Sequence, residues 1–432
     1  MSAPRVFRLN SFGLAVLLTL VAGPGSAAAA PADGSGDTPL IGLPAPTVLK
    51  ARLDESPMVL SARAALQAER ETVRAEQGSS SAWTLSGFVG GRKYNDDPKD
   101  LPLESELTLQ RPWRSDAKLD ARQAWFDQRE AAAQAQLRLA SRQALREWLD
   151  LLSTWVRDAG SARLWDEQYQ LALKQSQAVN RRFELGDVSR SERDLAEAAR
   201  VQIQVQVTLA QARARMARTR IDRQMPGWSD AELDALLQVE PVVTVTQPLD
   251  PDSATAALES SADYRAVQAE SAVLDSAARF EGVQKRSDPS FGVRLATAKG
   301  IEERALGVVF SMPLDGDMHD AQGRAASRRA AQAAARLQQE RLRLMADRQV
   351  REVETLASVQ AWGQQTEAAR RFDANARTTE KAWQLGQAAL TDVVTAQRLA
   401  NEQRLAAQQA RADALLRQWL LVLDRQPELL QP

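Results

Sequence analysis

The chain has 432 residues, with 55 Lys and Arg against 56 Asp and Glu, one histidine and no cysteine. Charge so nearly balanced argues against a nucleic-acid partner, and a lone His319 supports neither a multi-histidine metal site nor a Ser-His-Asp relay. Without cysteine there is no disulfide framework and no lipid-bearing Cys, while 5% aromatics in a sequence rich in Ala, Gln, Arg and Leu point to long packed helices.

Residues 1–30 read as a signal peptide. Arg5 and Arg8 make a positive start, Phe12 to Val21 is apolar, and Ala27 to Ala30 offer small-residue cleavage sites. That apolar run, ~10 residues, is half of what a membrane-spanning helix needs, which sets aside an uncleaved anchor. Residues 31–48 are rich in Pro and Gly and read as an extended arm. A helix is expected from Leu49 to Gln77, with Leu53, Val59, Ala62 and Leu66 near helical spacing and Gly78 ending it.

Two strands follow, at 83–92 and 103–113, joined by a polar loop from Lys93 to Pro102. Trp83, Leu85 and Val89 alternate with Thr84, Ser86 and Arg92; Leu103, Leu107 and Leu109 alternate with Glu104, Glu106, Thr108 and Gln110. A matching pair is expected at 290–297 and 305–314. There Phe291, Val293 and Leu295 alternate with Gly292 and Arg294, and Leu306, Val308, Phe310 and Met312 with Gly307 and Ser311. Each strand has about the length of a transmembrane β-strand, ~9–11 residues. Alone, either hairpin suits a soluble sheet with one wet face. Two equivalent hairpins between long helices of an exported chain suit a barrel with lipid outside and Glu104, Glu106 and Arg294 facing the lumen.

From Ser115 to about Phe183 there is no Pro and only one Gly, so a helix of roughly 100 Å is expected. Its apolar positions, among them Trp148, Leu152 and Trp155, fall near a 3.5-residue spacing. A return helix is placed at 188–224. Val201, Ile203, Val205, Val207 and Leu209 alternate there as in a strand, but the equivalent stretch Asn401 to Gln409 is plainly helical. The pattern recurs as long helices at 320–382 and 388–424. The first repeat therefore spans 49–226 and the second 253–424, joined by a Pro-containing linker at 227–252 and followed by a tail at 425–432.

Between each long helix and its return lies the same short signature. Phe183, Leu185 and Gly186 match Trp383, Leu385 and Gly386, followed by Ser189 in one repeat and by Thr391 and Asp392 in the other. A Gly at C′ and Asp, Ser or Thr opening the next helix are helix-cap chemistry. An aromatic and a Leu at an exposed apex also make a docking knob for another protein. The stretch Asp315 to Asp320, DGDMHD, has metal-binding side chains, but its Asp and Gly content reads better as a polar turn from strand into helix.

In this order of elements, and in the tip sequences RRFELGDVSRSERDLAEA and KAWQLGQAALTDVVTAQ, the chain resembles the TolC family of outer-membrane efflux proteins. LDESPMVLSARAALQAE and its repeat ALESSADYRAVQAESAV are similar to the family's first helix in each half, and RALGVVFSMPLDG has a weaker likeness to heavy-metal efflux members. The resemblance implies a mainly α fold with a small β part, and a homotrimer whose four strands per protomer close one 12-stranded outer-membrane barrel above a periplasmic helical tunnel. It implies a passive exit duct of a tripartite efflux or type I secretion system, with neither enzyme activity nor cofactor. Phe183, Leu185, Gly186, Ser189, Trp383, Leu385, Gly386 and Thr391 would dock a periplasmic adaptor linked to an inner-membrane pump. Asp392 matches an acidic entrance position, and Thr395 stands where a second acid is expected. The alternative is a periplasmic adaptor or coiled-coil scaffold that does not conduct; adaptors also carry long hairpins, but normally one per chain beside small β-rich domains.

Overall fold

The structure is a computed structural model and describes residues 40–79, 82–91, 103–242, 251–285, 287–298, 302–313 and 316–426. The signal peptide and most of the arm, the 92–102 loop and the last six residues lie outside them. Where the arm is described it is not extended: it turns, with Leu43 N–H donating to Leu40 O at 3.0 Å, and enters a helix at Pro46.

The expected first helix is two. α1 spans Pro46–Asp54 and α2 spans Pro57–Ser79. Pro57 cannot donate a backbone hydrogen bond, so the ladder restarts there, with the Ser56 hydroxyl accepting from Val59 N–H at 3.4 Å. Next come β1 (Thr84–Gly91) and β2 (Leu103–Pro112), then α3 (Asp116–Glu184), whose 69 residues extend ~100 Å, and α4 (Arg190–Gln224). The strand-like alternation at Val201–Leu209 is helical, as its repeat partner indicates.

The segment expected as a linker contains a helix, α5 (Asp230–Leu236). Ser229 caps it by accepting from Glu232 N–H at 3.2 Å. Trp228, Leu233, Leu236 and Leu237 then anchor this segment in the core. The second repeat follows as α6 (Pro251–Glu259), α7 (Ala262–Gln284), β3 (Ser290–Ala298), β4 (Glu303–Ser311), α8 (Gly316–Gln384) and α9 (Leu390–Arg425). β4 begins two residues before the expected 305 and ends at Ser311, because pairing with Ser290 and Ala298 fixes both limits.

The four strands form one antiparallel sheet in the order β1-β2-β3-β4. Both β1 and β4 are therefore open edges. Among the helices, α3 packs on α2, α4, α7 and α9, and α8 packs on α7 and α9. Neither α2 nor α4 packs along α8. The helical layer thus has the same two open sides as the sheet, with α8 on one and α2 and α4 on the other.

The main core lies where α1, α3, α5, α9 and the end of α4 meet, around Leu49, Leu149, Leu152, Ile221, Leu236, Leu415 and Trp419. Two indoles at this core find backbone partners: Trp419 Nε1 donates to Ile41 O at 2.9 Å and Trp155 Nε1 to Leu233 O at 3.1 Å. Beside this core a buried ionic cluster ties four helices together. Asp263 of α7 accepts from Arg146 at 2.8 and 3.0 Å and lies 3.0 Å from Arg142, both on α3. Asp424 of α9 accepts from Arg142 at 2.8 Å and is 3.0 Å from Arg351 of α8. Burial pushes the Asp263 carboxyl upward, but the Arg146 hydrogen bonds and the facing guanidinium charges outweigh it and hold the group below its ordinary value.

Candidate docking tips and strand face

Both hairpin tips are closed by the same backbone device. In the first, Leu185 ends the helix and Gly186 has φ +81°. Gly186 N–H donates to Phe183 O at 3.0 Å and Asp187 N–H to Arg182 O at 2.8 Å, the paired bonds of a Schellman motif. In the second, Gly386 has φ +75°, with Gly386 N–H donating to Trp383 O at 2.9 Å and Gln387 N–H to Ala382 O at 2.7 Å. No atom lies within 4 Å of where a Cβ would stand on either glycine. Each glycine is required by its backbone and not by crowding.

The return helices start differently. Ser189 caps α4 in a reciprocal box with Glu192, at 3.2 and 3.0 Å. In α9 the N-cap is Ala389, not Thr391, and only half the box survives: Asp392 accepts from Ala389 N–H at 3.3 Å. Asp392 is thus exposed but engaged as a cap, and Thr395 donates its hydroxyl to Thr391 O at 2.8 Å.

The side chains of the repeated signature divide into two roles. Leu185 and Leu385 are 76% and 74% exposed. Trp383, expected to be exposed, is buried with Val179, Ala196, Leu390 and Val393, drawn from all four long helices. Arg182 lies over its ring at 5.4 Å, and Arg193 lies 4.6 Å from the half-buried Phe183 ring. Trp383 therefore locks the two tips together, Phe183 packs under Arg193 of its own hairpin, and the leucines are what the tips present. Above them, between α3, α4 and α9, is a groove of about 180 Å³ lined by Gln175, Gln397 and Asn401. Each has a buried side-chain polar atom without a partner. Sequence reasoning missed it, since amides on separate helices carry no local signal.

The strand register sorts the sheet into two faces. On one, Leu85, Leu109, Val293 and Val308 form a row across all four strands, and Gly87, Leu107, Leu295 and Leu306 form the next. These large side chains are exposed, Val308 at 83%. Toward the helices this face ends in a cluster of aromatic residues: Phe291 is 6.4 Å from Trp113 and 5.4 Å from Phe310, and Arg111 is 5.7 Å from Trp83. At the other end it gives way to Ser105, Thr297 and Arg304. The opposite face is mostly polar or small. Glu104, Glu106 and Arg294, expected together, do share it, and Arg294 and Glu106 form an ion pair at 2.6 Å. Phe88, not singled out by sequence, is on this face too, paired with Glu106.

The expected polar turn at 315–320 lies partly outside the described residues; Gly316–Asp320 opens α8, and Asp320 is 3.2 Å from Lys285. Among the described residues no cluster of His, Cys, Asp or Glu could hold a metal ion, and no helix is long and apolar enough to cross a membrane.

No protein-family model and no curated protein matches the chain. Solved structures do. The chain is similar to the outer membrane protein VceC of Vibrio cholerae, at 16% identity over 88% of this chain and 95% of that one, with a TM-score of 0.69. It is similar to the Campylobacter jejuni CmeC outer membrane channel, at 11% identity, 89% and 85% coverage and a TM-score of 0.70. The outer-membrane channel OprN matches at 18% identity, 90% of both chains and a TM-score of 0.68. What is common to all, at identities this low, is the fold over nearly the full length.

Proposed function

We propose that this chain, which has the fold of TolC-type outer-membrane channels, is one third of a passive exit duct. Three copies close a 12-stranded barrel across the outer membrane and a helical tunnel in the periplasm. The tips, through Leu185 and Leu385 on their glycine turns, dock a periplasmic adaptor that connects to an inner-membrane pump.

The observation that carries this reading is the sheet itself. Four strands cannot close, and both edges and an apolar face are exposed. Setting β4 of one copy against β1 of the next satisfies the edges and turns the apolar face outward to lipid. The same step brings α8 beside the next copy's α2 and α4. These open sides carry exposed apolar residues at helical spacing: Val201, Val205, Leu209 and Met216 on α4, and Leu342, Val350, Val353 and Leu356 on α8. Two copies would make an eight-stranded barrel filled by its own side chains, whereas three leave a lumen. A non-conducting adaptor or scaffold leaves the exposed strand face without a role.

Fractionation and bilayer recording test it together. The protein is expected in the outer membrane, and when purified it should open ion-conducting steps in planar bilayers. A soluble periplasmic protein without conductance would refute it.

A further inference from the structure

We infer that Phe88 is a folding aromatic gate near the outer end of the lumen, and that Gly90 is the niche into which its ring retracts. The inference rests on the barrel reading above, with the Glu106 face turned inward.

Phe88 is the large apolar side chain on that face of β1, and it is 59% exposed. Its row continues across the sheet as Glu106, Ala296 and Ala305, so its cross-strand neighbours beyond Glu106 are small. One row toward the helices are Ser86, Thr108, Arg294 and Gly307; one row outward are Gly90 and Glu104. Among the described residues Phe88 is the lone aromatic on a face of acids, hydroxyls, an arginine, a valine, alanines and glycines, with no partner ring to pack against. It lies instead along its own strand: a Cβ on Gly90 would stand 2.6 Å from the Phe88 ring. The ring occupies the space that any other residue at position 90 would fill.

Twelve strands at ~4.8 Å spacing and ~40° tilt give a backbone diameter of about 24 Å. Side chains from opposite walls narrow this substantially. Three rings lying flat on their glycines leave the lumen wide; three rings turned toward the axis form an apolar collar. A collar of this kind limits the size of what leaves and opposes a continuous water column. Position 90 has ordinary strand backbone, so a β-branched residue there suits the strand while filling the niche.

The test uses purified wild type, Phe88→Ala, Gly90→Val and the double variant in planar bilayers, with polyethylene glycols of graded size added on the barrel side. The readout is the largest polymer that enters and lowers conductance. The gate predicts a limit shifted up in Phe88→Ala, shifted down in Gly90→Val, and restored in the double variant to that of Phe88→Ala. Conducting pores whose limit is unchanged in both single variants overturn the gate and leave the barrel standing. A wild-type protein with no pore overturns both. The chain lacks cysteine, so a second arm fixes the face. Phe88→Cys should react with a charged, water-soluble thiol reagent and Leu107→Cys should not; the reverse pattern would put Phe88 against lipid and end the proposal.

Discussion

Gly386, like Gly186, joins two properties: a positive φ that forbids an easy side chain, and surroundings empty enough to hold one. Gly386→Val therefore costs roughly 1–2 kcal/mol of local backbone strain without a core clash. Assembly and outer-membrane yield should stay near normal while crosslinking to the cognate adaptor and export are lost; normal crosslinking would reduce the repeated tip to a helix cap. Trp383→Ala should act differently. It removes a buried ring shared by both tips, a loss of about 3–5 kcal/mol, and should expose the tips to protease in the purified protein. The repeat made Phe183 and Trp383 look equivalent. Their difference arises from the packing of one hairpin against the other, to which neither hairpin's own sequence refers. Asp263 gives the pH prediction. Its depressed folded-state value means that its stabilisation is present above the unfolded value, ~3.9, and is lost as pH falls through the folded one. Asp263→Asn, which takes the paired hydrogen bonds from Arg146 and leaves Arg142 with Asp424 alone, should cost about 1.5–3 kcal/mol at neutral pH. The gap in melting temperature between variant and wild type should narrow as the pH falls below ~4.

At the scale of elements, the strands were the most legible part of the chain. Alternation at Leu103–Gln110 and Phe291–Leu295 set which residues share a face, and the register keeps every one of those assignments. A slip of one residue would turn each side chain to the other face, so substitution tests it sharply. Leu107→Arg should impair assembly by about 2–4 kcal/mol at the bilayer midplane, seen as lost outer-membrane protein. Glu106→Gln breaks the Arg294 pair and should leave assembly intact while shifting ion preference. The opposite result would mean that the faces are inverted. Less legible were short elements set by packing. α5 lies in a Pro- and Gly-flanked stretch that reads as linker, yet Leu233 and Leu236 are buried by α3 and α9, which no local window contains. The break at Ser56 was readable, since Pro57 marks it, but apolar spacing running through the site masked it.

For the whole molecule, every open side of one copy has its complement on the same copy's other side: β4 and β1 in the sheet, α8 against α2 and α4 in the helices. Such a heterologous interface closes into a ring or runs on without limit. With four strands per copy, β4 meets the next copy's β1 antiparallel, so a ring of any copy number closes without mismatch. The repeat and the order of elements were visible in the sequence. The number of copies was not; it came with the resemblance and with the size a lumen needs. The most direct test is the native mass of the protein extracted from outer membranes in mild detergent. Closure predicts one species of three protomers, unchanged on dilution. A monomer, or a ladder of masses without a preferred size, would contradict it.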